Sequence, residues 1–109
     1  MRMVTELAAQ LAPEPAAFLA VVDREASDPA PPPGLVAMVD QHAAAVRDTL
    51  SPGVGEIHPG DLAGYARGVV TVAAGWDWPN VAPETTHWLR LRLASVGWLA
   101  RQFGYLPTA

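Results

Sequence analysis

Cysteine and lysine are both missing from this 109-residue chain. Without cysteine there is no disulfide, no thiolate nucleophile and no cysteine-held zinc or iron–sulfur site. Without lysine there is no Schiff-base chemistry, and all seven positive side chains are arginine: Arg2, Arg24, Arg47, Arg67, Arg90, Arg92 and Arg101. Positive charge is also in short supply overall. The formal net charge is −4, whereas a nucleic-acid domain normally presents a basic face, so nucleic acid is not an expected partner. Apolar runs of membrane-spanning length are absent, and Glu6 sits where a signal peptide would begin its apolar core. The expected setting is cytoplasmic, with no membrane partner. Phosphate-loop and dinucleotide fingerprints are absent as well. Ser95, in Ala94-Ser95-Val96-Gly97, lacks the flanking glycines and strand-turn-helix setting of a nucleophile elbow, which excludes serine hydrolase chemistry.

What is present is a pattern of helices. The length suits one domain that removes most of its surface from water without staples. The longest stretch without an interior proline runs from Pro83 to Gly104 and carries Trp88 and Trp98. Residues Trp88 to Leu93 alternate apolar and polar as a half-buried strand does. However, Leu89, Leu93, Val96, Ala100 and Phe103 step by four, three, four and three, one face of a helix that outlasts the alternation. Pro83 suits the first helical position, Glu84 the positive end of the dipole, and Gly104 the left-handed C-terminal cap. The arginines of this helix read as solvated flanks, which makes the helix a scaffold wall.

The remaining elements follow from breakers and periodicity. Thr5 to Ser27 is helical in composition but broken by Pro13 and Pro15, with Thr5 as a first cap and Pro15 as a new start. Asp28 to Gly34, DPAPPPG, is a stiff proline-rich connector. Leu35 to Leu50 carries an apolar stripe at Leu35, Met38, Val39, Val46 and Leu50 with His42 inside it, and Ser51 to Pro59 is a glycine- and proline-rich loop. Gly60 to Gly75 reads as helix through Leu62, Tyr65, Val69 and Ala73. Its glycines at 60, 64 and 68 fall four apart and make a smooth groove. An interior glycine costs a helix about 1 kcal/mol against alanine, so keeping them suggests close approach by a neighbour or ligand. The fold expected is all-α: an antiparallel bundle of four main helices, the first broken by prolines.

Few residues carry possible chemistry. His42 in an apolar stripe is ordinarily a core side chain satisfied by one hydrogen bond; beside a pocket it would serve as a general acid or base. Tyr65 and Arg67 sit between glycines in LAGYARGVV. They read either as packing and solvation or as a hydroxyl and guanidinium gripping a carbonyl or carboxylate in the glycine groove. Trp76 and Trp78 suit an interface or pocket lid, and Trp88 and His87 a pocket rim. The three histidines, His42, His58 and His87, have no local metal-ligand spacing, so no metal site is expected.

The stretches VDQHAAAVRDTL and LAGYARGVV resemble short actinobacterial natural-product biosynthesis proteins of uncharacterised function. The resemblance spans the middle and C-terminal two-thirds of the chain. It implies a cytoplasmic helper or small enzyme of secondary metabolism, with Asp40, His42, Arg47, Tyr65 and Arg67 as the matching positions.

The expectation is therefore a small-molecule pocket between the second, third and fourth helices, needing no cofactor. His42 and Tyr65 would be catalytic, and Arg47, Arg67, Trp88 and His87 would bind substrate. Proton transfer, cyclisation or dehydration would suit these groups. The alternative is a non-catalytic protein, either a ligand-binding accessory or an interaction module in which the groove and tryptophans dock a second copy or a biosynthetic enzyme. Convergence of His42, Tyr65 and Arg67 on one partly apolar cavity would favour the pocket; without it the interaction reading becomes the better one.

Overall fold

The computed structural model describes residues 2–9, 14–27, 38–50 and 57–106. The described residues form five α-helices and one short 3-10 turn: α1 (Arg2–Ala8), α2 (Pro15–Ser27), α3 (Val39–Leu50), α4 (Pro59–Ala74), the turn Trp78–Asn80 and α5 (Pro83–Gln102). The fold is all-α, as the periodicity predicts. The proline-rich connector at 28–34, most of the loop after α3, Pro13 and the stripe position Leu35 lie outside the described residues.

Local chemistry explains most helix boundaries. Pro15, Pro59 and Pro83 each occupy the start of a helix, where a missing N–H costs no hydrogen bond. The Asp61 carboxylate reaches back to the His58 N–H at 3.3 Å and satisfies a donor ahead of α4. Thr5 is no cap, because α1 already begins at Arg2 and the Thr5 carbonyl accepts from Ala9 N–H at 3.1 Å. The end of α5 is a Schellman arrangement. Gly104 has φ 79°, and the N–H groups of Gly104 and Tyr105 return to Arg101 O at 3.0 Å and Ala100 O at 2.8 Å.

Helix α5 is the central element. It packs mainly against α2 and α3 and less against α4, while α4 covers α1 and α2. Leu89, Leu91, Leu93, Ala94, Ser95, Val96, Gly97, Leu99 and Ala100 are all buried, more than one stripe. The single-face reading therefore understated its burial. A helix surrounded on several sides hides nearly its whole circumference, and Leu91 and Ala94 owe their burial to those neighbours. One hydrophobic cluster runs from Met3 through Phe18, Val46, Leu62 and Leu93 to Leu106. Each fully buried leucine or phenylalanine in it contributes about 1.5–3 kcal/mol.

Contacts along α2 and α5 run in opposite order. Asp23 pairs with Arg101, whereas Ala26, later in α2, accepts from Arg90 Nη2 at 3.2 Å. That second bond satisfies a carbonyl in the last turn of α2. The same reversal holds for α4 and α5: the Tyr105 hydroxyl donates to Ile57 O at 2.5 Å, while Tyr65 meets Arg92. Both pairs run antiparallel.

The α2–α5 approach depends on Gly97. A Cβ built there would stand 2.9 Å from Asp23 Cβ and Cγ, and closer still to its carboxylate. Because Asp23 Cβ is fixed to the α2 backbone, rotating the side chain does not relieve the clash. Gly97→Ala is expected to lower stability by about 1–2 kcal/mol in urea unfolding, with overpacking exceeding the gain in helix propensity.

Candidate functional site

Three helices bring one polar cluster together. His42 lies on the buried face of α3 and is 7 % exposed. Tyr65 is half-buried on α4, and Arg92 is half-buried on α5. Arg92 Nε donates to His42 Nδ1 at 3.0 Å, and Arg92 Nη1 donates to the Tyr65 hydroxyl oxygen at 2.9 Å. Trp88, one turn earlier on α5, completes the group. The Arg92 guanidinium carbon lies 4.8 Å from the centre of the indole, and the His42 ring meets the same indole edge-on at 6.2 Å.

Burial and the adjacent Arg92 charge both lower the His42 pKa below 6.5, burial being the larger cause. The imidazole is neutral at pH 7. Since Nδ1 accepts from Arg92, the proton of the neutral ring resides on Nε2. The one lone pair that could take a proton is engaged by a guanidinium, so His42 is arranged as an acceptor and not as a free general base. The Tyr65 oxygen accepts from a cation, which polarises the phenol and leaves its own O–H to donate elsewhere.

Tyr65 and Trp88 also line an open groove of about 430 Å³, together with Gly64, Gly68, Val69, Val72 and Trp76. Its walls are almost wholly apolar. Gly64 and Gly68 form its smooth side, and a Cβ at either would meet nothing within 4 Å. Among the described residues no other helix therefore uses their smallness, in contrast to Gly97. Val72 at 63 % and Trp88 at 41 % exposure stand open beside them. Trp76 leans on Trp78 with ring centres 5.6 Å apart. Trp78 is anchored by its Nε1–H, which donates to Ala73 O at 2.9 Å.

The other candidates lie elsewhere. Arg67 points away from the groove and stacks over Phe18 with its guanidinium carbon 3.9 Å from the ring centre. It is two residues from Tyr65, about 200° around the helix. That spacing puts the two side chains on different faces and keeps Arg67 out of the cavity. Arg47 and His87 are exposed, and neither joins the cluster. Ser95 is buried and donates to Arg92 O at 2.6 Å within its own helix. Among the described residues, no three histidine, aspartate or glutamate side chains are placed to hold a metal ion, and no helix is long and apolar enough to cross a membrane.

Arg92 corrects the reading of α5 as a wall with solvated arginines. The alternation Leu91-Arg92-Leu93 made it look like an outward flank. A usable signal was present: Trp88 and Arg92 are four apart on a helix, the spacing at which side chains meet. An arginine between two core leucines must also bring its head to polar partners.

The fold and site define a small all-helical protein with an arginine-centred polar cluster beside an apolar groove. Residues 33–107 match a family of unknown function (DUF6401), and the chain belongs to that family. The match contains His42, Tyr65, Trp88 and Arg92 and leaves out α1 and α2. No curated protein and no solved structure matches the chain.

The lowered His42 pKa has a measurable consequence. As pH falls below about 6.5, the unfolded chain takes up a proton at this residue before the folded protein does, so stability declines until the folded imidazole also protonates. His42→Gln keeps an acceptor for Arg92 but does not titrate. Unfolding free energies between pH 7.5 and about 5 should fall less steeply in this variant than in the native protein.

Proposed function

We propose that this protein binds a small, largely apolar molecule in the groove between α4 and Trp88, and that it does so in bacterial secondary metabolism, the setting its resemblance implies. The observation that carries the reading is the cavity itself: about 430 Å³, within the size range of small-molecule sites, with apolar walls and one fixed phenol. Tyr65 supplies the directional group and Arg92 holds it in place. Stacking on Trp88 and Trp76 and close approach to the glycine backbone supply contact area.

The geometry favours binding over catalysis. Proton abstraction by His42 would first require Arg92 to leave Nδ1, and His42 is not among the groove-lining side chains. A competing occupant of the same face is a second copy of the chain, because Val72 and Trp88 are exposed and because, of His42, Tyr65 and Arg67, only Tyr65 lines the groove. Light scattering separates the two: a dimer that dissociates on Val72→Glu would favour the interface.

Gly68 gives a clean test of the small-molecule reading. Its side-chain position is open, so Gly68→Ala should raise stability by about 0.5–1 kcal/mol. Gly68→Leu should fold and fill the groove. With a set of mono- and bicyclic aromatic fragments, amide NMR shifts should gather at Gly64, Gly68, Val72 and Trp88. Gly68→Leu should weaken the best fragment by about tenfold or more. The groove reading fails if no fragment moves these amides at millimolar concentration, or if Gly68→Leu binds as the native protein does.

A further inference from the structure

We infer that the groove selects aromatic acids: flat molecules carrying a carboxylate or comparable anion, with the ring against the glycine face and the acid directed to Tyr65 and Arg92. This rests on the small-molecule reading of the groove and adds the charge of its ligand.

The inference comes from the charge balance around Arg92. The chain has 11 acidic residues and seven arginines, so a guanidinium has no shortage of possible carboxylate partners. Among the described residues, ion pairs form at Arg24–Glu25 and Arg101–Asp23. Arg92 forms none. It is held by a neutral imidazole, a phenol and an indole face, and an arginine cannot shed its charge by deprotonation. Among the described residues no carboxylate pairs with this half-buried positive charge. Burial first, and this charge second, lower the proton affinity of His42.

The position of this charge matters as much as its sign. Arg92 is not itself a groove-lining residue, but it touches two that are, Tyr65 and Trp88, and none of the lining residues is acidic. Two of the five guanidinium N–H groups are used by His42 and Tyr65, so three are not engaged by these residues. The Tyr65 hydroxyl, whose oxygen accepts from Arg92, keeps its own O–H as a donor. An anion there gains charge-assisted hydrogen bonds in a setting less screened than open water. A neutral amide of the same shape gains only the apolar contact and one ordinary hydrogen bond.

The test compares 2-naphthoate with 2-naphthamide, which share the ring system and differ in charge, by amide NMR titration of the full chain at pH 7. Naphthoate should bind about tenfold more tightly, with shifts at Gly64, Gly68 and Trp88, and raised salt should reduce the advantage. Arg92→Gln should abolish the difference in affinity between the two probes. Equal affinity of the two probes for the native protein would overturn the inference and leave the small-molecule reading standing. Absence of binding by either probe at the groove would remove both. The native comparison needs no variant, so it decides the question even if Arg92→Gln fails to fold. Tyr65→Phe, which keeps the cation, should retain a salt-sensitive preference for naphthoate.

Discussion

A guanidinium cannot be made neutral, and this chain places one between three helices. Arg92 projects from the most buried helix, where both sequence neighbours are core leucines, so its head group must find polar partners without returning fully to water. It finds them on α3 and α4. The bonds to His42 and Tyr65 thereby fix how these two helices sit against α5. Packing alone is tolerant of rotation and sliding, because any apolar face of the right size removes about the same area from water. Two directional bonds from one planar group are less permissive.

The glycines show the same residue type under opposite constraints. At Gly97 the missing side chain is filled by Asp23 of α2, and the close approach brings that carboxylate to Arg101. At Gly64 and Gly68 the space is left open by the chain itself. Their spacing of four suggests a groove in either case, and spacing does not say who fills it. The difference is whether another helix crosses that face, and α5 crosses it only at the groove's far wall, through Trp88.

Much of the architecture was legible because it depends on local chemistry. Pro15 and Pro83 mark helix starts through the missing N–H, Gly104 marks an end through its positive φ, and the step of three and four marks α5 against the competing alternation of Trp88 to Leu93; Pro59 reads as the end of a loop but opens α4. The site was only partly legible. His42 stands out as a polar residue in an apolar stripe, Tyr65 as an aromatic between glycines, and Trp88 as a residue of the pocket rim. Arg67 looked equivalent to Tyr65, yet two residues of helix rotation carried it to Phe18.

By itself, the sequence determined the all-helical class, the main helix boundaries in the described segments, and the absence of cysteine and lysine chemistry. These follow from backbone preference, periodicity and composition, which act within a few residues. Only the tertiary structure decided which arginine joins His42 and Tyr65. Arg92 is 50 residues from His42 and 27 from Tyr65 along the chain, and no local rule relates positions so far apart. Helix packing brought them within hydrogen-bond distance. The same packing engages the neighbouring described helices along other sides of α4, so that none of them covers the face of Gly64 and Gly68.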